Sequence, residues 1–535
     1  MKLRVQALLV ILCAYTIHAD TYQRQPAIDV QHYVFRVALS DESDEISGEA
    51  TVSVRFLTAG VSSFWLDLAT AAAGKGMAVS EVTANGAPVP FTHRDDRLTL
   101  TLSPPAKAGE LRAFTVKYRG VPAKGLLSPK NKFGDRTFFS VNWPDLAHQW
   151  LPTVDHPSDK ATSEFIVTAP SKYQVVANGL LQEELDLGDG RRRTHWKQSV
   201  PIATWLNNIG VAEFSSHHFA NAAGVPLQSW SFPKDRENGI ATLEEPLRQS
   251  IEFYNDHVGP YPYEKLAGVE AAGMGGGMEH ASEIFFGERS INGRPGLGLV
   301  SHETAHQWFG DSVTESDWDD VWLSEGFATY FSSLTLEHYL GHDALLAQLK
   351  RTRAGIFTTE SRLPGVAVVQ DKPWQGIPNG IVYQKGGWSL HMLRGELGDE
   401  KFWAAIREYY RRYRDSNAST ADFERTVEET SGQDLHWFFQ QWLYRAGSPV
   451  VECSWRYDAG AKKVELDLTQ TETGEAYRLP IEVGLTLPGV AGVRVERVQL
   501  TDKKQHFEIA AEQAPSEVEL DPHVWLLINV KVTRR

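Results

Sequence analysis

Two histidines four residues apart, in His302-Glu-Thr-Ala-His306, give the chain its strongest chemical signal. On a helix, residues four apart lie on one face, so both imidazoles can reach the same metal ion. Glu303 lies about 100° around the helix from His302, which places its carboxylate beside the ion and not on it. A carboxylate there suits a base that takes a proton from an attacking water. Two surface histidines on an amphipathic helix are the alternative interpretation.

A third ligand is needed, because catalytic zinc usually has three protein ligands and one open position for water. Glu325 follows His306 after 18 intervening residues and lies in the next helical segment, between apolar residues such as Leu323 and Phe327. A carboxylate in apolar surroundings needs a compensating charge, which a cation supplies. The sequence therefore predicts one Zn²⁺ per chain, held by His302, His306 and Glu325. A solvated helix charge is the alternative for Glu325.

Two more candidate functional residues lie outside the two helical segments that carry the predicted ligands. Glu279 follows a glycine run at 275–277, where a substrate backbone can approach closely, so its carboxylate could pair with the free α-amine of a peptide. Tyr383 could donate its hydroxyl to the oxyanion that forms when water adds to a carbonyl. The alternatives are a flexible loop with an exposed charge and a core tyrosine. The candidate substrate-binding residues are Gly276, Gly277, Met278, Glu279 and His280.

In combination, these motifs resemble the gluzincin zinc aminopeptidases of the aminopeptidase N family. The matching blocks are His302 to Gly310, Trp318-Asp-Asp-Val-Trp322, Leu323-Ser-Glu-Gly-Phe-Ala328, Gly276-Gly-Met-Glu-His280 and Tyr383-Gln-Lys-Gly386. The resemblance covers most of residues 261–394. It implies that Glu279 holds the free N-terminus of a peptide substrate, so that only the first peptide bond is placed for attack.

Further expectations concern the residues around the ligands. We interpret Lys385 as structural. Asp319 is a candidate acceptor that orients a ligand histidine, and Asp320 competes for that role.

Two departures from the family pattern bear on substrate recognition. His280 stands where the family has an asparagine, and it could add a positive or switchable charge near the substrate amine. The family also tends to place a glutamine from the first β domain in the cleft. No glutamine is found at matching spacing near Asn142-Trp-Pro144, so substrate preference at that edge stays open.

The chain divides into three compositional zones. Residues 20–233 show short runs with period-two alternation and frequent turns, which is typical of an antiparallel β domain. Residues 234–446 show helical spacing in long segments, including 296–309 and 318–340. Residues 447–535 return to alternation and are enough for one small β-sandwich.

The predicted fold class is therefore multidomain α+β. The family resemblance implies an N-terminal β saddle, a thermolysin-like, mainly helical catalytic domain and a C-terminal β-sandwich. It also implies a short form without the large helical C-terminal domain of longer members.

The N-terminus has the pattern of a secretory signal peptide over residues 1–19. Lys2 and Arg4 precede an apolar run at 7–15, and Ala19 is a plausible cleavage point. The run is too short for a spanning helix, and no later stretch is long enough to span a bilayer. We therefore expect an exported chain, periplasmic or extracellular, without stable membrane insertion. An uncleaved membrane anchor is the alternative.

Composition bears on the partners of the protein and on its disulfides. The net charge is −15, which argues against nucleic acid as the main partner, because phosphate binding needs an excess of Lys and Arg. Cys13 and Cys453 are the only cysteines, so the processed chain has no internal disulfide.

The predicted function is a zinc-dependent aminopeptidase that hydrolyses the N-terminal peptide bond of peptides with zinc-activated water. A zinc endopeptidase on the same site is one alternative, and a catalytically inactive peptide-binding homologue is another. A lipid-epoxide hydrolase, as in one branch of the family, is supported by no residue. The sequence does not determine the preferred N-terminal residue, the physiological peptide or the oligomeric state.

Overall fold

The structure is a computed structural model that describes residues 20–369 and 378–535. The predicted signal peptide, residues 1–19, lies outside the described residues. Among the residues described, no helix combines the length and the apolar content needed to cross a membrane.

The first part of the chain consists almost entirely of strands. They are β1 (Ile28–Ala38), β2 (Ile46–Phe56), β3 (Val61–Asp67), β4 (Gly76–Ala84), β5 (Ala87–Pro88), β6 (Phe91–Arg94), β7 (Arg97–Ala106), β8 (Leu111–Val121), β9 (Leu126–Leu127), β10 (Phe138–Ser140), β11 (Lys160–Pro170), β12 (Gln174–Ala177), β13 (Leu180–Asp186), β14 (Arg191–Ala203), β15 (Ile209–Ala212), β16 (Ser215–Ala222) and β17 (Val225–Ser231).

Eight of these strands form one large sheet, in the order β13-β14-β11-β1-β2-β8-β4-β5. Strand β2 alternates between buried and more exposed residues, which is what its period-two sequence predicts for a sheet with one covered face. The sheet is antiparallel except where β1 pairs with β11 in parallel, with Phe35 opposite Phe165. A wholly antiparallel domain was the expectation. The parallel pair forms because about 120 residues separate the two strands, which is long enough for a crossover connection.

The central part of the chain is mainly helical. Its helices are α1 (Arg236–Gly239), α2 (Glu245–His257), α3 (Leu297–His306), α4 (Trp322–Leu340), α5 (His342–Arg362), α6 (Gly386–Leu397), α7 (Asp399–Tyr413), α8 (Thr420–Ser431) and α9 (His436–Phe439). Its strands are β18 (Leu266–Ala271), β19 (Gly277–Met278), β20 (Glu283–Gly287), β21 (Val313–Glu315) and β22 (Ser416–Ala418).

Local sequence sets several of the helix ends. Ser419 and Asp422 form a capping box at the start of α8, and Gly432 ends that helix in the left-handed conformation with φ of 68°. Helix α4 is preceded by a 3₁₀ turn at Trp318–Asp320 and is apolar on nearly all sides. A helix of that kind must be covered all round, so α4 is the centre of the domain.

A five-stranded sheet connects the N-terminal part of the chain to these helices. Its order is β16-β17-β18-β20-β19, so β19 lies at the edge. Two of its strands precede residue 233 and three follow it, so this sheet spans the position at which the sequence places a domain boundary. The residue ranges of the three domains stay predictions.

The last part of the chain forms two sheets, which is the number that a β-sandwich contains. Its strands are β23 (Val450–Asp458), β24 (Lys463–Gln470), β25 (Leu479–Thr486), β26 (Val493–Leu500), β27 (Lys504–Ala510), β28 (Glu517–Leu520) and β29 (Asn529–Arg534). One sheet has the order β27-β24-β23-β29 and the other β26-β25-β28. The expected succession of β domain, helical domain and β-sheet domain is confirmed.

Helices α4 and α6 approach each other most closely at glycines. A Cβ on Gly326 would lie 3.0 Å from the carbonyl carbon of Gly386 and 3.1 Å from its Cα. Both of these atoms belong to the backbone, so they cannot move aside by a change of side-chain rotamer. This close approach sets the distance between Glu325, one residue before Gly326, and the segment that carries Tyr383.

We predict that Gly326→Ala lowers the free energy of unfolding by about 1–3 kcal/mol, the usual cost of overpacking a core. The matched control is Gly298→Ala in α3, whose added Cβ meets no atom within 4 Å. The control should be neutral or stabilising by up to about 1 kcal/mol, because alanine favours helix over glycine. Denaturant unfolding of both variants measures the difference. Equal stability of the two variants would contradict the close-contact argument.

Candidate metal centre

Three ligand atoms from α3 and α4 meet at one point. The Nε2 atoms of His302 and His306 are 3.3 Å apart. Glu325 Oε2 lies 3.5 Å from His302 Nε2 and 3.3 Å from His306 Nε2. The carboxylate and the His306 ring are buried, and Glu325 Oε2 has no hydrogen-bond partner among the described residues.

This triangle fits zinc. Ligand atoms about 2.1 Å from a tetrahedral zinc lie about 3.4 Å from one another, and all three observed separations are close to that length. Two imidazole nitrogens and one carboxylate oxygen are also a usual ligand set for catalytic zinc. The structure thus brings together the three residues that the sequence selects as ligands.

The backbone and neighbouring side chains orient the two imidazoles. His306 Nδ1 lies 3.2 Å from the carbonyl oxygen of Phe309 and 3.0 Å from Ser324 Oγ. Because a carbonyl oxygen only accepts, Nδ1 carries the hydrogen and Nε2 presents its lone pair to the metal position. Burial lowers the pKa of the His302 imidazole, and the Glu325 carboxylate and the backbone of Ala328 oppose that effect.

The expected orienting carboxylates have other contacts. Asp319 accepts a hydrogen bond from the backbone N–H of Asp20 at 2.8 Å. Asp320 accepts one from the Thr420 hydroxyl at 2.5 Å. In the described part of the chain, the groups at the outer nitrogen of His306 are the Phe309 carbonyl and the Ser324 hydroxyl. The two aspartates lie in the turn before α4, whereas Ser324 lies on α4 itself, one residue before Glu325.

The electrostatics of the centre are those of a buried anionic site. Burial raises the pKa of the Glu325 carboxyl, but the two imidazoles outweigh that effect and hold it at about 2. For Glu303, burial and the neighbouring Glu279 carboxylate raise the pKa well above its ordinary value. Burial also raises the pKa of Glu279, to about 7, against the opposing attraction of His306. A cation bound here would relieve this repulsion.

The Glu303 carboxylate lies against the edge strand β19. A Cβ on Gly277 would come within 2.4 Å of Glu303 Cδ, so glycine at this position leaves room for the carboxylate. Gly276, with φ of 69°, makes the turn that leads into the strand. The chain therefore positions the proposed base and the edge strand as one unit.

Glu279 belongs to the same cluster. One ligand atom each from Glu279, Glu303 and His306 lie within 4.8 Å of one another. Glu279 is 4% exposed, and its Oε1 has no hydrogen-bond partner in the described part of the chain. Met278, the residue before it, is also buried. The carboxylate is thus buried, and not the solvent-exposed charge of the alternative interpretation.

His280 does not carry the positive charge that the sequence analysis considered for it. Its ring is fully buried and packs edge-on against Phe285, with ring centroids 4.8 Å apart. Burial lowers the pKa of its imidazole to about 3, so the ring is neutral at physiological pH. The idea of a switchable positive charge beside the substrate amine is therefore wrong.

Tyr383 lies on a π-helical segment, Gly380–Lys385, that leads into α6. Its ring stacks on His302 with an interplanar angle of 9° and a centroid distance of 6.2 Å. Burial and the nearby Glu325 carboxylate raise the pKa of its hydroxyl, so Tyr383 stays protonated and can donate.

Lys385 braces the segment that carries Tyr383. Its Nζ is buried and donates to Glu360 Oε1 at 2.9 Å and to the Gly447 carbonyl at 2.6 Å. Its contacts agree with the structural interpretation of this lysine.

Gln307 is a positioning residue that sequence reasoning missed. Its Nε2 donates to the Glu279 carbonyl at 3.0 Å and to Asp311 Oδ2 at 2.8 Å, and its Oε1 accepts from Ser282 N–H at 2.7 Å. It therefore ties the end of the histidine helix to the loop that carries Glu279. Its place directly after His306 was the only available signal, because a buried amide brace has no periodic pattern.

Comparison with known proteins identifies the family. The model of the peptidase M1 N-terminal domain matches residues 29–206, and the model of the peptidase family M1 domain matches residues 244–442. Together the two models cover more than half of the chain. The chain belongs to peptidase family M1.

Among curated M1 relatives, the glutamyl aminopeptidase of Rattus norvegicus is 28% identical over 374 residues, which is 66% of this chain and 39% of the relative. The probable aminopeptidase 2 of Sulfurisphaera tokodaii is 26% identical over 401 residues, 71% of this chain and 50% of the relative. The chain thus spans half or less of the length of these relatives.

A solved M1 zinc metallopeptidase from Deinococcus radiodurans has the same fold. The TM-score is 0.68 at 25% identity, and the match covers 79% of this chain and 95% of that one. A mutant described as a two-domain M1 zinc metallopeptidase bound to L-tryptophan matches with the same TM-score and identity. Zinc is therefore the metal that both the donor set and the family indicate.

We predict that Ser324→Ala weakens zinc binding about tenfold, because groups that orient a ligand histidine typically contribute that much to affinity or more. Titration of zinc against a competing chelator measures the change. The matched control is Ser333→Ala on the same helix, where the hydroxyl donates to the Thr329 carbonyl of its own helix at 3.0 Å and should not affect the metal. Unchanged affinity in Ser324→Ala would show that Phe309 alone orients His306.

Proposed function

We propose that this M1 family member is a zinc-dependent aminopeptidase that acts on peptides with a free N-terminus. The observation that carries the proposal is the Glu279 carboxylate, buried and with an unpartnered Oε1 in the described structure, beside Glu303 and His306. A buried carboxylate is costly without a counter-charge. The α-ammonium of a peptide supplies that charge, and an internal peptide segment does not.

The charges of the cluster support the same conclusion. Glu279, Glu303 and Glu325 carry three negative charges when ionised, and the two imidazoles are neutral when they bind a metal. One Zn²⁺ and one α-ammonium balance these charges. Because the edge strand β19 fixes Glu279 close to the metal position, the ammonium can be bound only when the first peptide bond of the substrate lies at the metal.

The residues of the chain then have separate tasks. Bound zinc, held by His302, His306 and Glu325, would polarise the scissile carbonyl and make water a better nucleophile. Glu303 takes the proton of the attacking water and delivers it to the leaving amine. Tyr383, protonated and stacked on His302, donates its hydroxyl to the developing oxyanion. Glu279 holds the α-amine and thereby positions the bond.

The preference of the proposed enzyme for particular N-terminal side chains can be tested. The relatives named glutamyl aminopeptidase suggest an acidic N-terminal residue, and the L-tryptophan complex of the two-domain M1 enzyme suggests a large aromatic one. A panel that contains glutamyl, tryptophanyl, leucyl and lysyl substrates distinguishes these two.

We also propose that the protein is exported. The support is the basic and apolar pattern of residues 1–19, with Ala19 as the cleavage point. The periplasm or the extracellular space follows as the place of action.

We predict that aminoacyl p-nitroanilides are hydrolysed at least about 30-fold faster than their N-acetylated forms, since leaving a buried charge unpaired costs about 2–5 kcal/mol. In Glu279→Gln the rate on free-amine substrates should fall and the gap to the acetylated forms should narrow. Steady-state kinetics with and without a zinc chelator measure both effects. Equal rates on free and acetylated substrates, or cleavage of blocked internal peptides, would indicate the endopeptidase instead.

We predict that Glu303→Gln lowers kcat by about a hundredfold to ten-thousandfold, the usual contribution of a general base. Glutamine keeps the shape of the side chain, so elemental analysis should still find one zinc per chain. A variant that keeps both its zinc and its activity would remove Glu303 as the base.

A further inference from the structure

The first described residues, 20–24, run across the junction between the N-terminal β domain and the helical domain. The Arg24 guanidinium donates to the Ser316 carbonyl at 2.7 Å and to Asp317 Oδ2 at 2.8 Å. Tyr22 stacks on the His156 ring with centroids 4.8 Å apart, and its hydroxyl donates to Asp67 at 2.5 Å. The segment is thus packed into the protein on both sides.

Asp20 is the most tightly held residue of this segment. Its backbone N–H donates to Asp319 Oδ1 at 2.8 Å. Its own carboxylate accepts from Tyr22 N–H at 2.7 Å and lies 2.5 Å from His156 Nε2. The side chains of Asp20 and His156 are 7% and 1% exposed, so the pair is buried. The nitrogen of Asp20 is therefore hydrogen-bonded to a carboxylate, next to a side chain that is buried.

Asp319 lies where it can influence the metal centre. It belongs to the turn Trp318–Asp320, directly before the helix that carries Glu325. The indole of Trp318 in the same turn packs against Trp143 and Trp205 of the N-terminal domain, with ring centroids 6.3 and 6.5 Å away. This turn is where the N-terminal domain contacts the start of α4.

We propose that the chain is processed between Ala19 and Asp20, and that the new α-ammonium of Asp20 forms an ion pair with Asp319 that locks residues 20–24 onto the start of α4. The inference rests on the proposed export of the chain. It assigns a role to the new N-terminus, which the proposed peptidase chemistry does not use.

The chemistry of the cut is a simple hydrolysis. The bond between the Ala19 carbonyl carbon and the Asp20 nitrogen breaks, the hydroxyl of water goes to the carbon, and its other hydrogen goes to the nitrogen. The new carboxyl group loses its proton to solvent and the new amine gains one. Because the Asp20 side chain is buried and its nitrogen is hydrogen-bonded in the folded protein, we expect the cut to precede folding, as for a leader removed during export.

The ion pair follows from the geometry already present. The Asp20 nitrogen already donates to Asp319 as a neutral amide, and as an ammonium it would donate through a charge-assisted hydrogen bond, which is about twice as strong. The charged groups of the segments packed together here are the Asp20 carboxylate, His156, Asp319, Arg24 and Asp317, which pairs with Arg24. Since His156 fixes the Asp20 side chain, a cut upstream of Ala19 would leave an amide at this point, and a cut after Asp20 would remove the residue.

The test uses the full 535-residue chain, expressed with its leader in a host that exports it. Intact mass and N-terminal sequencing should place the new N-terminus at Asp20. Trace acetylation over a range of pH, followed by mass spectrometry of the N-terminal peptide, gives the α-amine pKa. We expect it above the ordinary range of about 7.7–8.0, and one unit of increase makes labelling about tenfold slower at neutral pH.

The variants separate the ion pair from general burial. Asp319→Asn should return the amine pKa to its ordinary range and speed labelling about tenfold. Asp317→Asn is the matched control: it removes the charge that pairs with Arg24, while the asparagine oxygen can still accept from the Asp319 N–H as Asp317 does. An N-terminus at another residue, or an amine pKa that Asp319→Asn leaves unchanged, would overturn the proposal.

A further variant protects the test against a folding failure of Asp319→Asn. A glycine inserted between Ala19 and Asp20 restores the amide at position 20 and moves the ammonium outward, so the amine should label at the rate of an exposed amine. If it labels as slowly as the native N-terminus, the ion pair is refuted.

Hydrolysis of aminoacyl substrates is measured in parallel. An inactive protein whose Asp20 amine is protected from labelling would refute the peptidase proposal and support the ion pair. An active protein whose Asp20 amine labels like an exposed amine would refute the ion pair and support the peptidase proposal.

Discussion

Buried negative charge at one point in the helical domain is the constraint on which the rest of this structure depends. Glu279, Glu303 and Glu325 are each about 5% exposed or less, and they converge on the rings of His302 and His306. Such a cluster is stable only when cations neutralise it or when protons are taken up. With no cation bound, the high pKa of Glu303 favours its protonated form and the low pKa of Glu325 favours its ionised form. A metal and, in the function we propose, the ammonium of a substrate would neutralise the remaining charge.

Holding this charge in place requires braces that come from outside the two ligand helices. Gln307 ties the histidine helix to the Glu279 loop, and Lys385 ties the Tyr383 segment to Gly447 at the start of the C-terminal β domain. The Asp20–Asp319 contact joins the beginning of the described chain to the turn before α4. Each part of the fold thus contributes a contact that fixes one side of the centre, although the ligands come from two neighbouring helices alone.

The substrate side of the centre differs most from the family expectation. His280 replaces the family asparagine, and the structure places it as a neutral ring in the core against Phe285. Glu279 keeps its place beside the metal position nevertheless, because the backbone of its loop is held by Gln307 and not by the side chain at 280. His280 therefore packs beneath the loop, and Glu279, the carboxylate proposed to bind the amine, lies beside the metal position.

The sequence by itself selected the three candidate metal ligands that the structure brings together, and it determined the order of the three structural parts. Helical spacing placed His302 and His306 on one face, the apolar flanks of Glu325 required a counter-charge, and changes of period marked where strands give way to helices. Local pattern suffices there because each inference depends on residues close in the chain. The tertiary structure decided what depends on distant contacts: the parallel pairing of β1 with β11, the neutrality of His280, the choice of Phe309 and Ser324 over Asp319 to orient His306, and the contact between Asp20 and Asp319. Residues 299 positions apart meet in that last contact, and no periodicity in the sequence encodes it.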